Sequence, residues 1–181
     1  IHQADLTCNK DIEKLVNEFS NFARMPRPIL KKINIVNVIK KSLDFIKMTS
    51  KSSINLITKD KEIFINGDED QLNRVFINLI KNSQEAIDEI SKKDTKFKGN
   101  IDIEIDNNND YIVCRLTDNG SGITDPKKAM TPYFTTKKTG TGLGLPIVTK
   151  IINEHLGDFS IRNKKKGKGT IISISLPKLN A

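Results

Sequence analysis

Tryptophan is absent, only two tyrosines are present, and aromatic residues make up 6% of the 181 positions. Single-stranded nucleic acids are held largely by stacking bases on aromatic rings, so this scarcity argues against direct nucleic-acid binding. That conclusion stands despite 30 basic residues against 22 acidic ones, a formal net charge of +8. The lysines are spread along the chain with a single dense run at Lys164-Lys165-Lys166, a balance that also suits a membrane-facing patch or a small polyanion. Cysteine is limited to Cys8 and Cys114, far apart and without metal-type spacing, which excludes a disulfide framework and fits a reducing compartment. Cys114 alternates with Ile112 and Leu116 and reads as a small buried apolar residue. No run of about 18 apolar residues occurs, nor a charged start followed by an apolar stretch, so the chain as given is expected to be soluble. It opens at Ile1 and runs straight into a helical pattern, as the C-terminal piece of a longer, membrane-spanning protein would.

The 36% hydrophobic residues suffice for one main core. Cys8, Ile12, Leu15, Phe19 and Phe22 recur in steps of three and four, either a coiled-coil seam or an amphipathic helix packed on its own domain. Met25-Pro26-Arg27-Pro28 must end it, and a linker follows. A helix is expected from Ile35 to Met48 with Asn34 as N-cap, then short strands at 54–58 and 62–65. A long helix is expected from Asp68 to Ile90 with the apolar stripe Leu72, Val75, Phe76, Leu79, Ile80, Ala86 and Ile87. Alternation predicts strands at 101–105 and 111–116 joined by an asparagine-rich turn. Residues 123–139 show neither period and read as a mobile lid. A helix over 143–155 and closing strands at 158–162 and 170–176 complete an α+β, two-layer sandwich with a mostly antiparallel sheet.

Two glycine-rich segments carry the chemistry. Asp118-Asn119-Gly120-Ser121-Gly122 places a carboxylate, able to accept from a nucleobase amine, ahead of glycines that allow close approach. In Gly140-Thr141-Gly142-Leu143-Gly144-Leu145, Gly142 and Gly144 open the following helix, where backbone amides and the helix dipole suit phosphates. Asn78 and Asn82, four apart on the long helix, project the same way and offer carbonyl oxygens to Mg²⁺. Lys137 and Lys138 stand just upstream of the second glycine segment, either as plain solvated charges or folded over the same phosphates.

With these residues in place, the chain resembles the sensor histidine kinases of two-component systems. Asn78-Leu79-Ile80-Lys81-Asn82 resembles their N box and Asp118 to Gly122 their first glycine box. Pro132-Tyr133-Phe134-Thr135-Thr136-Lys137 resembles the F box, Gly140 to Leu145 the second glycine box, and Gly167-Lys168-Gly169-Thr170 the last glycine motif. The order is the family's, over roughly Asn34 to Pro177. The segment from Glu18 to Pro28 is similar to the end of the dimerisation helix of NtrY-like nitrogen-regulation sensor kinases.

The resemblance implies the Bergerat ATP-binding fold, shared with gyrase-type topoisomerases, MutL mismatch-repair proteins and heat-shock chaperones. It implies ATP and Mg²⁺ as ligands, with Asp118 on the adenine amine, Asn82 holding Mg²⁺ and Asn78 assisting. Gly120 and Gly122 would line the base pocket with Thr170 near the adenine, Gly140, Gly142 and Gly144 would cradle phosphates, and Ile123, Thr141, Leu143 and Leu145 would complete the nucleotide-binding set. Phe134, Thr136 and Lys138 would also bind the nucleotide, and Lys137 would take a catalytic part together with Asn78 and Asn82. It further implies residues 1–28 as the end of a dimerisation domain and 29–181 as the catalytic domain. A phosphoacceptor-histidine domain of the same protein, a response-regulator receiver domain and a homodimer would be the partners. The setting would be the cytoplasmic side of an inner-membrane sensor.

Three departures qualify this. Hydrolytic relatives carry a water-activating glutamate four residues before the Mg²⁺ asparagine, where this chain has Asn78, which favours phosphoryl transfer. Many histidine kinases have a basic residue three after that asparagine; here it is Glu85, so phosphate charge must be met elsewhere, Lys137 or Lys138 being candidates. No phosphoacceptor H box is present: His2 precedes Gln3-Ala4-Asp5, and His155 reads as a helix C-terminal cap or surface group. The acceptor histidine is therefore expected outside this chain. The alternatives are an ATP hydrolase, or a module of the same fold that binds nucleotide without kinase activity.

Overall fold

The computed structural model describes residues 16, 20, 24–48, 50–108, 110–135 and 140–179. The N-terminal helical pattern through Cys8, Ile12, Leu15, Phe19 and Phe22 lies outside the described residues, as do His2, Thr136, Lys137 and Lys138.

Asn34 serves two elements at once. It ends strand β1 (Lys31–Asn34) and caps helix α1 (Ile35–Lys47), its Oδ1 accepting from Val36 N–H at 3.1 Å and Ile63 N–H at 3.2 Å. The second bond fastens the helix start to the approach to strand β3 (Phe64–Gly67). Strand β1 is not expected from the sequence, which suggests a linker there, and neither is the short 3-10 turn Lys128–Met130. The register of β1 opposite β3, Ile33 facing Ile65, comes from pairing across the chain.

Helix α2 (Glu69–Ser91) starts at Asp68, whose Oδ1 accepts from Gln71 N–H at 3.1 Å, and acidic Glu69 and Asp70 occupy its first turn. It buries Leu72, Val75, Phe76, Leu79, Ile80 and Ile87. Ser83 takes a buried place on this face and Ala86 does not, the reverse of the expected stripe, because the helix has a second neighbour described below.

Strands β2 (Ser53–Ile57), β4 (Asn100–Asn107), β5 (Tyr111–Asp118), β6 (Asp158–Asn163) and β7 (Thr170–Pro177) form one sheet in the order β2-β4-β5-β7-β6. All pairs are antiparallel except β2 with β4, whose connection carries β3 and the whole of α2. Alternate residues face the helices: Ile101, Ile103 and Ile105 from β4, Ile112, Cys114 and Leu116 from β5, and Ile172, Ile174 and Leu176 from β7. Each fully buried isoleucine contributes roughly 1.5–3 kcal/mol over its exposed state. Helix α3 (Gly144–Glu154) packs against α2 and adds Ile147, Val148, Ile151 and Ile152 to the same core. The result is the expected two-layer α+β architecture with a mixed five-stranded sheet. No helix of the described residues is long and apolar enough to cross a membrane.

His155, placed by the sequence at a helix end or on the surface, caps α3 but is buried, 2% exposed. Nδ1 lies 2.8 Å from Ile151 O and Nε2 accepts from Asp68 N–H at 2.9 Å, so the ring carries its proton on Nδ1.

Candidate functional site

Helix α2 has two working faces. Opposite part of its apolar stripe, Arg74, Asn78, Asn82, Glu85, Ala86 and Glu89 recur every three or four residues and line a cavity of about 590 Å³. That size suits a small-molecule ligand. The two glycine-rich segments and the start of β7 supply the other walls, with Asp118, Gly122, Gly142, Gly144 and Thr170 among the lining residues.

Asp118 ends β5 on the cavity wall, 2% exposed. Its Oδ1 accepts from Gly120 N–H at 2.9 Å and Thr170 N–H at 3.1 Å, and its Oδ2 from the Ser83 hydroxyl at 2.9 Å. A buried carboxylate is costly to hold without a counter-charge, and these three bonds from neutral donors offset part of that cost. Three elements aim it, since the donors come from the loop after β5, from β7 and from α2. Gly120 itself stands behind the lining: a Cβ there would be 2.8 Å from the Ala86 carbonyl carbon, so only glycine lets this loop close on α2. The contact is completed by Ser121 N–H to Ala86 O at 3.0 Å and Ser121 Oγ to Glu89 Oε2 at 2.7 Å. Asn163, at the end of β6, holds Ile123 from both sides: its Oδ1 accepts from Ile123 N–H and its Nδ2 donates to Ile123 O.

At the other side the cavity meets the start of α3. Gly142 has φ +69°, and a Cβ would stand 2.6 Å from the Tyr133 carbonyl carbon, because Tyr133 N–H donates to Gly142 O at 3.1 Å and pulls the two segments together. Leu143 provides no side-chain cap and is itself buried in the core, not on the cavity wall. The amides of Gly144 and Leu145 are thus left for a ligand, while Pro146 has none to offer. A Cβ on Gly144 would lie 3.8 Å from Asn78 Oδ1 and 3.9 Å from Asn82 Nδ2, so the helix start and both asparagines share one space. Asn78 Nδ2 donates to Arg74 O at 3.0 Å, which turns its Oδ1 away from its own backbone.

Among the sequence-selected residues, Asn78, Asn82, Asp118, Gly122, Ile123, Phe134, Gly140, Thr141, Gly142, Gly144, Leu145 and Thr170 line the one cavity. Gly120 and Leu143 support it from behind, and Thr136, Lys137 and Lys138 lie outside the described residues. Sequence reading missed Ser83, Asn163 and Arg74. Helical spacing was available for Arg74, one turn before Asn78, whereas Asn163 carries no local signal. No cluster of three or more His, Cys, Asp or Glu suited to a metal occurs among the described residues, so any cation here relies on amide and ligand oxygens.

A family model described as histidine kinase-, DNA gyrase B-, and HSP90-like ATPase matches residues 67–180. A sensor histidine kinase described as NtrY-like, from Rickettsia conorii, is 35% identical over 167 residues, covering 91% of this chain and 27% of that protein. Nitrogen regulation protein NtrY of Azorhizobium caulinodans is 29% identical over 168 residues, covering 92% of this chain and 22% of that protein. The chain therefore spans about a quarter of the length of these relatives. The nucleotide-free catalytic domain of histidine kinase ThkA superposes with a TM-score of 0.70 at 26% identity, covering 82% of this chain and 95% of that one. Full-length ShkA in complex with AMPPNP matches in fold with a TM-score of 0.76 at 18% identity, over 98% of this chain and 38% of that one.

Proposed function

The chain belongs to the histidine kinase-, DNA gyrase B-, and HSP90-like ATPase family, and from that premise we propose that it is the catalytic ATP-binding region of a two-component sensor histidine kinase. The observation that carries this reading is the buried Asp118 carboxylate, aimed by three neutral donors into a cavity whose opposite wall is the uncapped start of α3. One side is built for a base amine and the other for phosphates.

In this reading Asp118 accepts from the adenine amine, while Gly122, Ile123 and Thr170 flank the base. The phosphates meet the amides of Gly144 and Leu145 and the loop Gly140-Thr141-Gly142. Phe134, Thr136 and Lys138 belong to the same nucleotide-binding set, and Lys137 takes a catalytic part. Mg²⁺ fits the residues present, because Asn78 Oδ1 faces this space and no hydrogen bond among the described residues fixes the Asn82 amide, which is free to present its oxygen. When bound, the ion supplies neutralisation of phosphate charge. The domain itself holds the nucleotide so that an imidazole nitrogen forms a bond to the γ-phosphorus as the bond to the β–γ bridging oxygen breaks. ADP leaves, and the imidazole gives up its N–H proton. That imidazole belongs to a dimerisation domain of which residues 1–28 are the end, residues 29–181 being the catalytic part. Onward transfer goes to an aspartate of a response-regulator receiver, in a homodimer on the cytoplasmic side of an inner membrane.

Asn78 supports this over the hydrolase alternative: an amide cannot take a proton from water as a carboxylate does. The test is calorimetric titration of ATP and ADP into wild type and Asp118→Asn, followed by addition of a separate histidine-bearing domain with labelled ATP. Binding lost in the variant, with label reaching the added histidine domain, supports the kinase. Steady phosphate release without label transfer supports the hydrolase, and binding without either reaction supports the nucleotide-sensing module.

A further inference from the structure

The described residues lining the cavity include four carboxylates, Asp118, Glu85, Glu89 and Asp125, and one cation, Arg74. Such a wall repels a polyphosphate unless its charge is met at a defined place. Glu85 and Glu89 stand on the turns of α2 beyond Asn82, and Asp118 is bonded to Ser83, so the acidic groups on and against α2 gather at one end. Arg74 stands at the other end. From Ser83 back to Arg74 the helix runs nine residues, about 13 Å, with Asn82 and Asn78 between them.

The start of α3 lies against Asn78 and Asn82, so phosphates seated on its amides extend along α2 toward Arg74, away from the Asp118 end. Arg74 is half-buried, and no carboxylate of the described residues forms an ion pair with it. Its carbonyl receives the Asn78 side-chain N–H at 3.0 Å, so the turn bearing the guanidinium and the amide facing the phosphates are held together.

We infer that Arg74 is a terminal-phosphate cation of this site, in addition to the Lys137 and Lys138 of the proposed nucleotide set, and the residue on α2 by which the site distinguishes a nucleoside triphosphate from a diphosphate. The inference rests on the nucleotide reading above. A guanidinium presents a rigid fork of donors matched to phosphate oxygens, and its charge does not titrate. The part left vacant by Glu85 thus falls to a residue on the same helix at the opposite side of the asparagine pair.

The experiment is calorimetric titration of ATP and of ADP, each with Mg²⁺, into wild type, Arg74→Gln and Arg74→Lys. Both replacements are good helix formers, and ADP binding reports that the cavity is intact. The expected result is ADP affinity unchanged within about twofold and ATP affinity about tenfold lower in Arg74→Gln, with Arg74→Lys in between. Equal losses for ATP and ADP, or no change for either, overturn the assignment while leaving the nucleotide site standing. A wild-type protein that binds neither nucleotide overturns both readings.

Discussion

The backbone N–H of Asp68 donates to Nε2 of His155 at 2.9 Å across 87 positions of the chain, joining the start of α2 to the end of α3. The two helices that frame the cavity are thereby tied at their far ends, opposite the contact of Gly144 with the asparagines. The His155→Ala variant leaves a buried amide without an acceptor, a cost of about 1–3 kcal/mol. Urea unfolding is expected to show a lower midpoint with an unchanged slope. An unaltered midpoint would mean that water replaces the ring.

Asp68 also makes stability depend on acid. Burial pushes its carboxyl up, but the backbone amides of Ile29, Gln71 and Asp70 outweigh that and hold it below its ordinary 3.8. A depressed folded value means the contribution is present above the ordinary value and fades as pH falls through the folded one. Asp68→Asn keeps the cap yet removes the charge, so its stability deficit against wild type is expected at neutral pH and should vanish in strong acid. A deficit constant from neutral pH into acid would place the effect in packing.

Gly142→Ala probes the junction between Tyr133 and the second glycine-rich segment. Alanine at φ +69° with its methyl 2.6 Å from Tyr133 forces the backbone apart. A stability loss of about 1 kcal/mol or more is expected, together with weakened ATP and ADP binding. Ser83→Ala, by contrast, removes one bond to Asp118 Oδ2 and should weaken ATP and ADP by the same factor, about tenfold. An ATP-selective loss in Ser83→Ala would contradict its position at the Asp118 end.

Burial pushes the Cys114 thiol up to about 12 from its ordinary 9.0. The raised value means that the protonated thiol's contribution is complete below 9.0 and is lost as pH climbs from there toward about 12. In a Cys8→Ser background, reaction with a thiol reagent at pH 8 should follow global unfolding. Rapid modification of the folded protein would show that β5 opens locally.

Helix starts were legible because caps are local: Asn34 and Asp68 put α1 and α2 within one residue of their observed starts. The β4–β5 hairpin was legible from alternation and from the asparagine-rich turn between its strands. Strand β1 was not, since Lys31-Lys32-Ile33-Asn34 alternates too briefly to register and exists only through β3. Most of the site was readable because glycine and acidic residues needed for close approach sit in short segments. Ser83 and Asn163 were not, because each gains its role from a partner 35 or 40 positions away. His155 looked like a helix end open to water for the same reason: nothing near it in sequence announces Asp68.

The segment entering the domain is moored to the first turn of α2 by Ile29 N–H on Asp68 Oδ2 at 2.9 Å and Gln71 Nε2 on Pro26 O at 3.0 Å. Mechanically, α2 is then held at its first turn by the entering segment and near its last turn by Ser121 on Ala86 and Glu89, with the cavity along its flank between the two holds. Its 23 residues make it roughly 34 Å long, so the two holds lie close to a full helix length apart. Tension on the entering segment is thus delivered to the turn that precedes Arg74, while Glu89 at the distal end is braced by Ser121.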